Sequence, residues 1–220
     1  MNYNTQLLRI YGRAPVIIFT GQSGCGKGTQ INLMRKKYFE LTYQEIFISE
    51  TGKLFREHIP LVSPYFKKLT TTQNSGKRQP ACIASSLWIR HILHDYTGGP
   101  MLIDGSPRST DEARDMISFF KYFMEKEIFV FHIVVSDEEA MRRILARNEY
   151  LRSKNLPIRE DCSTPEKIEQ KLLWYETDVL PAIFELKNFG IPIHMVYSSQ
   201  EKKAEELEQE ITAYLCKSYF

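Results

Sequence analysis

Residues 16–30 read VIIFTGQSGCGKGTQ, and this stretch decides the fold. Val16–Thr20 is a short apolar, β-branched run of strand length. Three glycines follow, Gly21, Gly24 and Gly26, and then Lys27 opens a segment with helical spacing. Glycines after a strand let the backbone turn sharply, so that successive amides point inward at a phosphate. The next helix brings its positive end, and a lysine adds a point charge for the outer phosphates. The general phosphate-loop pattern places Ser or Thr directly after the lysine; here Gly28 stands there and Thr29 comes next. A dinucleotide-binding turn needs no lysine and expects an acid about 20 positions on. Glu40 is near that distance, but Lys27 in register favours a nucleoside triphosphate.

Working outward, four more β-rich runs appear: Ile46–Ser49, Met101–Asp104, Phe129–Val135 and Ile193–Tyr197. Helical spacing is found over Gly26–Tyr38, Ala81–His94, Ser109–Glu125, Asp137–Arg147, Pro165–Leu186 and Glu201–Lys217. Strands that read as continuous apolar runs and alternate with helices predict an α/β fold, a five-stranded parallel sheet covered on both faces. Ser163, Pro165 and Glu166 form a helix start, with Ser163 as the expected cap. Two polar intervals break the alternation, Thr51–Pro80 and Asn148–Ser163. They read either as excursions from the sheet, the second a flap, or as plain surface loops.

At 220 residues the chain fits one domain. A hydrophobic fraction of 43% and a net charge of +2 match an ordinary globular protein without bulk attraction to polyanions. Cys25, Cys82, Cys162 and Cys216 are scattered, which argues against a zinc site or a disulfide framework. No run has the length of a membrane span and the N-terminal residues have no signal-type apolar core, so the expectation is a cytoplasmic protein without a membrane partner. No basic stripe with interleaved aromatics points to nucleic acid.

Asp104 ends the strand MLID and precedes Gly105. An acid at a strand tip near a phosphate loop can hold magnesium directly or through water, or it can simply start a turn. Arg56, Arg108, Arg143, Arg147 and Arg159 stand at loop boundaries, and Arg143 and Arg147 share a helix face. Phosphoryl transfer between two nucleotides crowds negative charges, and forked guanidinium groups neutralise and align them.

Together these residues resemble an adenylate kinase, within the nucleoside monophosphate kinase family. That family's loop GxPGxGKGTQ matches residues 21–30 except for Ser23, and its STGDxLR resembles SETGKLFR, with Thr51, Gly52 and Arg56 in register. Its GxLVP corresponds to GKRQP at 76–80, and its DGFPRT to DGSPRS at 104–109. The RxxxR pair is Arg143 and Arg147; RxDD resembles RED at 159–161, and RLxxYxxxTxP resembles KLLWYETDVLP at 171–181. The match spreads from about residue 16 to about 197.

The resemblance implies a P-loop NTPase-type sheet with a small monophosphate-binding arm, about 51–80, and a short lid, about 148–163. The core would comprise about 14–50, 81–147 and 164–220. It implies a monomer that transfers the terminal phosphoryl group of ATP to a nucleoside monophosphate, most directly AMP. ATP would lie on Gly21, Ser23, Gly24, Cys25, Gly26, Lys27, Gly28 and Thr29, with Arg143 and Arg147. The monophosphate would lie on Thr51, Gly52, Arg56, Gly76, Arg78, Gly105, Arg108 and Glu112. Arg159 and Lys171 would join Lys27, Arg108, Arg143 and Arg147 in catalysis, and Asp104 would anchor Mg²⁺ through water.

Four departures from the family pattern stand out. Lys171 replaces an arginine, Cys162 replaces the second aspartate of RxDD, and Arg78–Gln79 replaces Leu-Val. Glu112 replaces a glutamine that reads the acceptor adenine. A glutamine both donates and accepts, whereas a carboxylate only accepts, so Glu112 is expected at the acceptor base and GMP, CMP or UMP compete with AMP. Arg78 is expected to pair with Glu112 or to read the base itself, unless both face solvent. A nucleotide-binding module without turnover is the other reading, against which Lys27, Arg56, Asp104 and Arg108 all remain.

Overall fold

The structure is a computed structural model, and it describes residues 3–57, 67–69, 71–72 and 79–218. Val16–Thr20 forms β1, buried at every position. Burial on both faces is why the strand reads as an unbroken apolar run. Beside it lie β2 (Phe47–Glu50), β3 (Met101–Asp104), β4 (Ile128–Val134) and β5 (Ile193–Tyr197), in the order β2-β3-β1-β4-β5. Every pairing is parallel. The predicted five-stranded parallel sheet is therefore present.

Side chains alternate across the strands and build two cores. Ile17, Phe19, Phe129, Phe131 and Ile133 pack on one face with Ile31, Met34, Ile211 and Leu215. Val16, Ile18, Met101, Ile103 and Val130 pack on the other with Trp88, Phe120 and Leu186. Each such side chain contributes about 1.5–3 kcal/mol when fully buried, so the central strands are firmly held.

Among the described residues the α-helices include α1 (Tyr3–Gly12), α2 (Lys27–Thr42), α3 (Thr51–Glu57), α4 (Ala81–Asp95), α5 (Thr110–Met116), α6 (Asp137–Ser153), α7 (Pro165–Trp174), α8 (Leu180–Asn188) and α9 (Ala204–Lys217). Helix α1 lies outside the elements expected from sequence. It docks through Leu7, Ile10 and Tyr11, whose spacing of three and four gives one apolar face, and Tyr11 meets Tyr38 edge-on at 5.0 Å.

Helix α6 runs on to Ser153, six residues past the expected end, so the span read as a lid begins as helix. Asn148 fixes this extension by donating its side-chain amide to the Cys162 carbonyl at 2.7 Å. The cap of α7 is Thr164, one residue later than expected; Ser163 donates instead to the Glu160 carbonyl. A π-helical turn, Tyr175–Val179, joins α7 to α8 just before Pro181, which cannot donate into the preceding turn. No helix among the described residues is long and apolar enough to cross a membrane.

Candidate active site

Strand register sets the site. Phe19 lies opposite Asp104, and Thr20 lies opposite His132, so the loops leaving β1, β3 and β4 open side by side at the carboxyl edge. Ligands in parallel sheets bind at this edge. A cleft of about 730 Å³ occupies it and is lined by residues from the 20–30 loop, α3, the 104–109 loop, α6 and α7.

The loop after β1 is shaped by positions that admit no side chain. A Cβ on Gly21 (φ +138°) would stand 2.4 Å from the Ile133 carbonyl oxygen. One on Gly24 (φ +82°) would stand 2.6 Å from the Ala140 oxygen. Lys27 curls back on the loop, its Nζ donating to the carbonyls of Gly21 at 2.7 Å and Gln22 at 2.9 Å. Cys25 is buried, with its sulfur 3.4 Å from the same ammonium. Gly28 and Thr29 are exposed in the first turn of α2, Ser23 and Gly26 partly so.

Arg143 ties three elements together. Its Nε donates to Glu139 at 2.6 Å, and its Nη1 to Ser198 Oγ at 2.9 Å and the Cys25 carbonyl at 3.4 Å. Glu139 is held at about 2 by Arg142 and Arg143. Arg147 differs: its Nε and Nη2 are buried and meet no partner among the described residues, although it lines the cleft. Buried guanidinium nitrogens without an acceptor fit a site built to receive an anion.

On the opposite side, Thr51 starts α3 fully buried. A Cβ on Gly52 would lie 3.5 Å from Nη1 of Arg56 and equally far from Nη2 of Arg108. The two guanidinium groups thus converge over a residue with no side chain. Arg108 is anchored by Nε donating to the Gly105 carbonyl at 2.6 Å. Asp104 is half-buried at the tip of β3, and Gly105 takes φ +75°.

Arg159, Asp161 and Lys171 line the same cleft. Lys171 is ion-paired with Asp161. Burial pushes the Asp161 carboxyl up, but the charges of Lys171, Arg159 and Arg108 outweigh it and hold it below the ordinary range. Cys162 sits in a small core with Ala140, Ile144, Ile168 and Leu172. An apolar pocket therefore occupies the position of the family's second aspartate.

Glu112, expected at the acceptor base, lines the cleft, and it is buried and bonded to its own loop. One carboxylate oxygen accepts from Ser106 Oγ at 2.6 Å and the other from the Arg108 amide at 2.7 Å. This overturns the alternative in which it faces solvent, and it leaves both oxygens engaged by the chain. Gly76 and Arg78 lie outside the described residues. The pair of His132 and Tyr175, 2.6 Å apart, went unread in the sequence. Its signals were a histidine in an otherwise apolar strand and the tyrosine of KLLWYETDVLP.

Comparisons with known proteins identify the family. A family model described as an AAA domain matches residues 20–157. The chain is 29% identical to the adenylate kinase of Rickettsia bellii and 25% identical to that of Rickettsia akari, each over 91% of this chain and 98% of the relative. It is 29% identical to the adenylate kinase of Mycoplasma capricolum over 60% of this chain and 58% of that one. With the glycine-shaped loop and Lys27 within the matched span, the chain belongs to the AAA-domain family, as a P-loop nucleoside monophosphate kinase of the adenylate kinase family.

Proposed function

We propose that the chain catalyses ATP + AMP ⇌ 2 ADP with Mg²⁺. The observation that carries this reading is the convergence of Arg56 and Arg108 over Gly52 in the same cleft as the Lys27 loop. A triphosphate on the loop and a monophosphate on the arginine pair would face each other across one cavity. An oxygen of the AMP phosphate attacks the γ-phosphorus, the bond from that phosphorus to the bridging oxygen breaks, and the β-phosphate leaves as part of ADP. The nucleophile is already an anionic oxygen, so no base is required, and catalysis rests on neutralising and aligning charge.

Lys27 would exchange its bonds to Gly21 and Gln22 for phosphate oxygens. Arg147 would use its unpartnered nitrogens on the transferring group, with Arg159 beside it. Arg143, held by Glu139 and Ser198, would fix the loop against α6. Among the described residues no three His, Cys, Asp or Glu side chains cluster as a metal cage. Asp104 as a single carboxylate beside phosphates fits a Mg²⁺ ion held mainly by water and nucleotide oxygens. Such an ion would neutralise the charge of the phosphate chain.

Gly76 and Arg78 belong to the monophosphate side in this proposal. Another monophosphate is the second reading, favoured by Glu112, which lines the cleft with a carboxylate that only accepts where the family has a glutamine. We assign the chain to the cytoplasm as a monomer acting on nucleotides, and light scattering tests the monomer. The deciding experiment is a coupled assay with Mg-ATP and a panel of AMP, GMP, CMP and UMP. ADP formation highest with AMP and abolished in Lys27→Met supports the reading. Equal background in both proteins with every monophosphate overturns it.

A further inference from the structure

Three buried side chains connect the two parts of the acceptor side. Thr51, Ser106 and Glu112 are each at most 1% exposed. Thr51 Oγ1 and Ser106 Oγ stand 2.6 Å apart, and Ser106 Oγ donates to Glu112 at 2.6 Å. The second Glu112 oxygen accepts the Arg108 amide at 2.7 Å. The Glu112 amide in turn donates to Ser109 Oγ, which caps α5. A serine hydroxyl has one proton. With that proton on Glu112, the bond between the hydroxyls must run from Thr51 to Ser106, so the chain of donors points one way and ends on the carboxylate.

We infer that Glu112 is a positioning residue, which through Ser106 and the Arg108 amide locks the 105–109 loop to the start of α3 and so sets the convergence of Arg56 and Arg108. The inference rests on the proposed phosphoryl transfer to a monophosphate. Ser106 and Glu112 stand where the resembling family has Phe and Gln, and the two departures fit each other: the small hydroxyl supplies the donor that the extra carboxylate oxygen requires. Burial pushes the Glu112 carboxyl up, and the Ser106 and Arg108 donors oppose it without cancelling it. The buried Trp88 indole N–H also favours the charged form but meets no acceptor at hydrogen-bond geometry.

A residue that shapes a phosphate grip and one that reads a base behave differently when changed. In Glu112→Gln the amide oxygen can keep the Arg108 bond, while the amide N–H₂ opposes a donor and forces the hydroxyl chain to reverse. We expect KM to rise about tenfold for AMP, GMP, CMP and UMP together, with KM for ATP within about twofold of the parent and the ranking of acceptors unchanged. Ser106→Ala should give the same signature. The double variant should be no more than about twofold worse than Glu112→Gln alone, because both changes break one chain. A changed acceptor ranking, a parallel rise in KM for ATP, independent multiplication of the two effects, or no effect overturns the inference. If the parent uses no monophosphate, the functional reading fails separately. The grip is then read as inorganic phosphate affinity by calorimetry, expected at least about threefold weaker in Glu112→Gln; equal affinity overturns the inference.

Discussion

The phenol of Tyr175 and Nε2 of His132 stand 2.6 Å apart beside the phosphate loop. Burial, and then the charge of Lys27, lowers the His132 pKa from an ordinary 6.5 to about 4. The folded state therefore resists a proton that the unfolded chain accepts. This contribution to stability is full above the unfolded pKa and is lost as pH falls toward 4. Thermal unfolding of the parent should lose about 2 kcal/mol more than His132→Gln between about pH 7 and about pH 5. Parallel losses would show that His132 is not the group responsible.

Lys171 is engaged by Asp161 and offers a compact ammonium where a fork would serve two partners. Lys171→Arg should keep the Asp161 contact and leave donors for the transferring phosphate. We expect kcat to rise about two- to fivefold, with KM for ATP nearly constant. A fall in kcat measured at saturation with both substrates would mean that the site is built around lysine.

Gly21 and Gly28 separate loop geometry from helix propensity. A methyl on Gly21 meets the Ile133 carbonyl oxygen, whereas one on Gly28 meets nothing within 4 Å. Gly21→Ala should lose several kcal/mol of stability, on the order of 3 kcal/mol or more. Gly28→Ala should leave the fold unchanged or stabilise it by up to about 1 kcal/mol. Denaturant midpoints of the two variants check the contrast.

Arg147 brings two buried, unpartnered nitrogens to the cleft. Relief of that burden in Arg147→Met should leave the folded protein as stable or slightly more so, while kcat falls by about 10²-fold or more. Chemical denaturation paired with steady-state kinetics tests both halves. A large stability loss would make Arg147 a packing residue.

The sheet was legible because buried parallel strands carry their signal locally: β1, β3 and β5 begin and end where their apolar runs do. The phosphate loop was legible because glycine and lysine spacing encodes backbone shape directly. The bonding of Glu112 was not, since it depends on how the preceding loop folds back to present the Ser106 hydroxyl and the Arg108 amide to the carboxylate. Cys162 illustrates the same limit, because its burial depends on Ile144, Ile168 and Leu172. The length of α6 was hidden for a related reason. Asn148 reads as a polar breaker, yet its amide is held by the Cys162 carbonyl across the fold.

Phe19 and Asp104 sit side by side in adjacent strands. The separation between the loop after β1 and the loop after β3 is thus a property of the sheet ladder, and the intervening chain has no part in setting it. In the proposed reaction, the line along which the phosphoryl group moves would then follow the ladder, while loops beyond it could change which acceptor is admitted. Substrate choice and reaction geometry would be separately inheritable traits.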